Sequence, residues 1–367
     1  MKNLMIFAVL GALLSGGCRN YAGSGMEESC RIKRFFCWGR MKSEADAAKY
    51  AAAGVTDIKV HNQKSFQWAQ KYGITAYCGS LTPAGPHPQV MSPEETAFHR
   101  YINGMDLPAK MPVRERKRII DARRREKDHR YGGNRVNPLD TINVKSLPCF
   151  SCDRDLRLTR QKIDNILKRA VPGVKGIYLD YFGYANHRGC YCSGCLERLR
   201  SYLEREKLAD TPANRDEFYR QELLDYYDKV IAYIKSKRPD FKIVAHFYPD
   251  FEPDPWYGTR TRVDFGGHTV SWYFKWNAAD TSGAVRNILL DARKYHSGVE
   301  AIPFIGINVK PTTSLAYKSP GELEADLKAV ISGGGRSVMI CSGSAVLVPG
   351  YFEVFRKYCG RQPDAGK

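Results

Sequence analysis

Short apolar runs rich in β-branched and aromatic residues alternate with amphipathic stretches from residue 33 to residue 359. This rhythm predicts strand and helix in strict alternation, as in a parallel sheet with crossover helices. The runs are RFFCWG (34–39), TDIKVH (56–61), ITAYCGS (74–80), GIYLDYF (176–182), KIVAHFYPD (242–250), TVSWYFKW (269–276), IPFIGINVK (302–310) and SVMICSG (337–343). Eight such units favour a closed α/β architecture, the (β/α)8 TIM barrel, over a doubly wound sheet, because closure leaves no edge strand.

The helical stretches carry their own start and stop signals. SEADAAKYAAAG reads as a helix capped by Ser43 and stopped by Gly54. Between Asn214 and Lys237, Leu223, Tyr227, Val230, Ile231 and Ile234 recur at helical spacing and should face the sheet. Two excursions break the rhythm. Residues 81–152 form a long basic insertion after the third strand, and residues 251–264 follow the fifth. Both leave the end of the barrel where βα-loops build active sites. The basic stretch reads equally as a solvated helix, with Asp121–Arg125 and Glu126–Arg130 as supporting pairs, or as a lid.

The N-terminus adds an address. MKNLMIFAVLGALLSGGC has a basic Lys2, an apolar stretch too short to remain as a bilayer span, and small residues ending at Cys18. It predicts an exported protein: a bacterial cell-envelope lipoprotein lipidated at Cys18 and membrane-anchored, or an ordinary secreted protein cut nearby. The expected organisation is a signal at 1–18, a tether at 19–31, a barrel at 32–360 and a tail at 361–367.

The formal charge of +18 points to an anionic partner or surface. Much of it is local, since residues 98–135 hold twelve Lys or Arg against five Asp or Glu, a net +7. Nucleic acid is not an expected partner, because export removes most such partners and no recognition module is evident. A phosphate-cradling loop of the G-x-x-x-x-G-K-[ST] type is absent, and no organic cofactor is implied.

Strand parity sorts the candidate chemistry. On the fourth run Ile177 and Leu179 should face helices, while Tyr178 and Asp180 point into the barrel. An inward acid at the C-terminal end of a strand marks a site, although such an acid can also serve as a structural partner of Lys or Arg. On the fifth run His246, Tyr248 and Asp250 share the inward face, with Glu252 just beyond. Glycosidic hydrolysis needs two carboxyl groups, so Asp180 with Asp250 or Glu252 is the candidate catalytic set. His61, Asn308 and Lys310 are expected ligand contacts near the mouth, whereas Asp57 and Lys59 are expected to neutralise each other lower down. Trp38, Trp256 and Trp276 offer flat platforms for sugar C–H surfaces, and Trp272 should face the helices.

Cys190, Cys192 and Cys195 form C-x-C-x-x-C, and PCFSC supplies Cys149 and Cys152. Three loop thiolates plus one of Cys149 or Cys152 would close a tetrahedral structural zinc site, with His187 in reserve; disulfides are the alternative in an exported chain.

The segment CYCSGCLERLRSYL after a strand-four acid resembles the C-Y-C-x-x-C loop and helix of family 42 β-galactosidases and related barrel proteins. The resemblance implies metal positions at Cys190, Cys192 and Cys195, and puts Asp180 near the position of the family's acid/base glutamate. Two departures limit it. Leu179 and Asp180 stand where the family has Asn-Glu, and FIGINVKP has no glutamate for the strand-seven nucleophile. The two-glutamate mechanism therefore does not carry over. Either the second acid comes from strand five and the chain is a glycoside hydrolase of an extracellular saccharide, acidic or neutral, or it is a non-catalytic glycan-binding lipoprotein on the same scaffold.

Overall fold

In the computed structural model the described residues are 31–123, 148–180, 189–247, 257–271, 278–295, 298–310 and 317–360. The signal-like segment with Cys18, the tether up to residue 30 and the tail 361–367 lie outside them. So do His187, Tyr248, Asp250, Glu252, Trp256, Trp272 and Trp276.

Eight strands close into one parallel barrel in sequence order: β1 (Arg34–Cys37), β2 (Asp57–Val60), β3 (Thr75–Leu81), β4 (Gly176–Leu179), β5 (Lys242–Phe247), β6 (Phe265–Ser271), β7 (Glu300–Gly306) and β8 (Ser337–Cys341). Closure is made by β8 against β1, with Phe35 opposite Val338 and Phe36 opposite Met339. The connecting helices are α1 (Glu44–Ala52), α2 (Gln63–Lys71), α3 (Pro93–Ile102), α4 (Val113–Arg123), α5 (Asp153–Arg169), α6 (Ser193–Arg205), α7 (Pro212–Lys237), α8 (Ala278–Tyr295), α9 (Pro320–Ser332) and α10 (Pro349–Cys359).

Alternation along the strands makes two cores. Phe36, Tyr77, Tyr178, Val244, Phe265, Ile302, Phe304 and Met339 point inward and pack together, so the barrel is filled and not a pore. Ile177, Leu179, Ile243, Ala245 and Phe247 belong to the outer core under the helices. Leu223, Tyr227, Val230, Ile231 and Ile234 of α7 are all buried there, as their spacing predicts. Ser43 caps α1 by accepting from the Asp46 N–H at 3.2 Å. Gly54, at φ +90°, turns the chain where a Cβ would lie 2.0 Å from the Cys359 carbonyl oxygen.

One strand is displaced from its expected place. β6 starts at Phe265 and not at Thr269, because Gly266 and Gly267 belong to it. Glycine pairs usually mark turns, but a Cβ at Gly267 would come within 2.6 Å of Met339 Sδ. The missing side chain makes room for the inner core.

The barrel floor corrects a second expectation. Asp57 accepts from the Thr56 and Tyr77 hydroxyls at 2.6 and 2.9 Å and faces Arg34 at 3.7 Å. Burial raises its carboxyl above the ordinary value, and those partners oppose the shift. Lys59, two residues nearer the mouth, has other neighbours, so the pair does not neutralise itself.

Between β3 and α5 the chain holds α3 and α4, and a bridge between Pro88 and Pro148 ties the ends of the excursion together. No residue of α4 is buried, which fits a solvated helix. Arg125 and Arg130, the expected partners of Asp121 and Glu126, lie outside the described residues. Among the described residues no helix is long and apolar enough to cross a membrane.

Candidate functional site

At the mouth of the barrel Asp180 stands directly after β4, with 8% of its surface exposed. Its Oδ1 lies 3.3 Å from Nδ1 of His246, which β5 points inward as its parity requires. The far nitrogen of His246, Nε2, lies 3.0 Å from the Thr269 hydroxyl, whose own hydrogen goes to the Phe247 carbonyl at 3.0 Å. With that hydrogen committed, Nε2 must be the donor to Thr269. Burial pushes the imidazole below its usual value, against the raising effect of Asp180, so the ring tends to carry one proton, on Nε2. Nδ1 and Asp180 Oδ1 are then two acceptors in contact unless a proton sits between them.

Aromatic rings fix this pair. Phe304 stacks on the imidazole with centroids 3.6 Å apart and planes 10° from parallel. Trp38 meets Tyr178, His246 and Phe304 edge-on at 5.2, 5.6 and 5.9 Å. Lys59 Nζ lies 5.7 Å from the Trp38 ring centre. Its ammonium is depressed by burial and supported by the charge of Asp180. The Trp38 indole N–H and the Tyr178 hydroxyl are buried with no hydrogen-bond partner among the described residues, donors suited to a ligand hydroxyl.

The sequence-predicted contacts divide accordingly. Asp180, His246, Tyr178 and Trp38 come together. Asn308 is half-buried just beyond β7 and its carbonyl accepts from the Lys318 N–H at 3.0 Å. His61 and Lys310 are exposed. The His61 N–H is bound to Ser65 Oγ at 3.1 Å, and its ring is held below the ordinary value by desolvation and by Lys59 and Arg40. Among the described residues at the C-terminal ends of the strands, Asp180 is the one carboxylate; Asp250 and Glu252, its proposed partners, lie outside them. Sequence reasoning missed Thr269 and Phe304 as supports of His246. Parity from Ile302 would have found Phe304, whereas Thr269 needed the true start of β6.

Outside the barrel wall the sulfur atoms of Cys149, Cys190, Cys192 and Cys195 all lie within 4.8 Å of one another. Cys149 Sγ is 3.4 Å from Cys195 Sγ and 3.9 Å from Cys192 Sγ. A tetrahedral zinc with Zn–S of about 2.3 Å has sulfur–sulfur edges of about 3.8 Å. Such spacing fits a metal, and every cysteine among the described residues is a free thiol. Hydrogen bonds from Cys149 and Cys195 pull the Cys190 thiol far down while raising those two. One thiolate stabilised by its neighbours' protons is what crowded sulfurs do without a cation. The structure thus selects Cys149 as the fourth member and corrects the alternative assignment of Cys152, whose Sγ lies against His87.

Neither a protein-family model nor a curated protein matches this chain. Solved structures do. A β-galactosidase from the psychrophilic Marinomonas ef1 is similar over 84% of this chain and 54% of its own, at 12% identity and a TM-score of 0.50. The barrel shares the (β/α)8 fold of that protein. An α-L-fucosidase isoenzyme 2 from Paenibacillus thiaminolyticus covers 90% of this chain and 49% of its own, at 12% identity and TM-score 0.48. A β-galactosidase from Bacillus circulans sp. alkalophilus covers 85% and 50%, at 13% and 0.47. The chain spans about half the length of these proteins.

Proposed function

We propose that the chain binds a saccharide at the barrel mouth and hydrolyses a glycosidic bond there, with Asp180 giving a proton to the leaving oxygen. The observation that carries this reading is the 3.3 Å contact between Asp180 and His246 at a strand end lined by Trp38 and Tyr178. The second carboxyl, Asp250 or Glu252, would act as nucleophile or activate water. Exposed Arg114, Lys117 and Arg118 on α4 support an acidic substrate, uronate-bearing or sulfated. The export-like leader ending at Cys18 supports action outside the cytoplasm from a lipid anchor. Zinc is the metal proposed for the four-cysteine cluster.

A non-catalytic glycan-binding role is the second reading. It is favoured by the low exposure of Asp180 and by the single carboxylate among the described strand ends. Turnover of aryl glycosides and of uronate or sulfated oligosaccharides by Asp180→Asn separates the two. Hydrolysis predicts a rate loss of about 10²–10⁴-fold with oligosaccharide binding retained. Unchanged turnover removes Asp180 as the acid, and no turnover by the unaltered protein across the panel, with binding intact, favours the binder.

A further inference from the structure

The C-x-x-C of PCFSC is split. Cys149 joins the four-cysteine cluster, while Cys152 turns to His87 and Asp155, and these three place one ligand atom each within 4.8 Å of one another. Cys152 Sγ lies 3.2 Å and Asp155 Oδ1 3.0 Å from the same atom, His87 Nδ1. A nucleophile–base–acid relay uses opposite nitrogens of the ring, so this is not one. Sulfur, nitrogen and oxygen converging on one region is the arrangement that coordination requires.

The fold builds this convergence. Cys152 is the N-cap of α5 and Asp155 lies one turn in, so the two side chains share the helix's first turn. Cys152 makes no capping hydrogen bond there. The loop that brings His87 is sewn to α5: the Thr159 hydroxyl accepts from the Ala84 N–H at 3.0 Å, and Tyr226 donates to that hydroxyl at 2.8 Å. Gly85 presses so closely that a Cβ would lie 2.0 Å from Asp155 Cγ. Asp155 is fully buried, and its Oδ2 has no hydrogen-bond partner among the described residues. A buried carboxylate oxygen left without a donor is costly, and a cation beside it removes the cost.

We propose that His87, Cys152 and Asp155 form a second divalent transition-metal site, of the zinc class. Its mixed nitrogen, sulfur and oxygen donors suit zinc, and the exposure of His87 leaves the fourth position to water. Together with the Pro88–Pro148 bridge and the Cys149 N–H donated to the His87 carbonyl at 2.8 Å, the metal clamps the two ends of the long excursion at its base. The proposal is independent of the glycan reading and of the four-cysteine metal.

The test is titration of the chelator-stripped full chain with Zn²⁺, and with Co²⁺ as a spectroscopic probe that distinguishes one thiolate ligand from four. The expected result is a second equivalent, weaker than the first and with a one-thiolate cobalt spectrum. Cys152→Ser and His87→Ala should each weaken that equivalent by more than the roughly 10–100-fold lost when only an outer-shell partner is changed. Cys152→Ser should leave folding undisturbed, since serine is a favoured N-cap. His87→Ala also takes the partner of the buried Asp155 Oδ1, so its unfolding midpoint is measured alongside and Cys152→Ser carries the decision. Retention of the first equivalent in both variants is the internal control, and its loss in Cys149→Ser assigns it to the other cluster. If a lone equivalent survives Cys149→Ser and disappears in Cys152→Ser, the present site stands and the four-cysteine reading fails. A second equivalent missing from the unaltered protein, or undiminished in both variants, overturns the proposal.

Discussion

The barrel mouth and the cysteine region both draw on the connection that follows β4, Asp180 at its start and Cys190, Cys192 and Cys195 at its far end, yet they hold their polar groups by opposite means. At the mouth Asp180 and His246 sit on or beside strands, and stacked rings fix their orientation. Outside, Cys149, Cys190, Cys192 and Cys195 come from connections, and the Val90 N–H directed at Cys190 Sγ at 3.4 Å is one of the few supports independent of the sulfurs. Packing positions the first set whether or not a ligand is present. The second set, sulfur crowded against sulfur, is spaced as the ligands of one metal ion would be. The two sets thus differ in what holds them, packed rings at the mouth and sulfur–sulfur proximity at the cysteines.

The two regions should part most visibly at the cysteine clasp. Stripping metal with a chelator, or substituting Cys195→Ser, should lower stability by several kcal/mol, a part of the roughly 10–16 kcal/mol that structural zinc delivers in small metal-folded peptides. The barrel is large and keeps its own core, so a fall in the midpoint of thermal unfolding is expected, not loss of fold. Near-ultraviolet dichroism from the Trp38 and Tyr178 surroundings should persist in the stripped protein at low temperature. If that signal collapses together with the metal, the mouth is not independent of the clasp.

Acid separates the regions next. His246 and His268 are fully buried, and desolvation lowers both imidazoles, His268 to about 3. In the unfolded chain each binds a proton near pH 6.5, while the folded chain refuses it until lower pH. The unfolded state binds more protons in that window, so stability rises with pH there and falls as pH drops from about 6.5 toward 3. The two groups together contribute on the order of a few kcal/mol to this loss. Thiolates also release metal as they protonate, so the measurement is urea unfolding of chelated protein. His268→Gln should flatten the slope, and an unchanged slope would assign the acid sensitivity elsewhere.

Parity carried the mouth as far as it was legible. Tyr178, Asp180 and His246 follow from strand alternation alone, because a strand buried on both faces still sends alternate side chains to opposite sides. What alternation does not give is which inward groups meet. Proximity in sequence pairs Asp57 with Lys59, whereas barrel stagger brings Arg34 and Tyr77 to it and leaves Lys59 beside Trp38. His61 and Lys310 have the right parity but lie past the strand ends, where pleat no longer dictates direction. Close spacing announced the cysteine cluster in the same way. It did not tell Cys149 from Cys152, because that depends on where α5 begins and on His87, some sixty residues earlier in the chain.

The smallest expected effect is also the most selective for the mouth. Thr269→Val keeps the shape of the side chain and removes the hydroxyl that accepts from His246 Nε2 and donates to the Phe247 carbonyl. A buried ring nitrogen left without its partner costs about 1–3 kcal/mol in stability, measurable by urea unfolding. The tautomer is then no longer held, because the proton at Nε2 loses its acceptor and is free to move to Nδ1, facing Asp180. An Nδ1–H donor binds the Asp180 carboxylate in its ionised form, and the proton that the hydrolase reading assigns to Asp180 is released to solvent before the substrate arrives. Under the hydrolase reading, kcat should fall with KM little changed, and the acidic limb of the pH–rate profile should shift, while the metal content of the cysteine clasp stays as it was. A loss of stability with an unaltered pH profile would show that Thr269 braces β5 against β6 and does nothing for the proton.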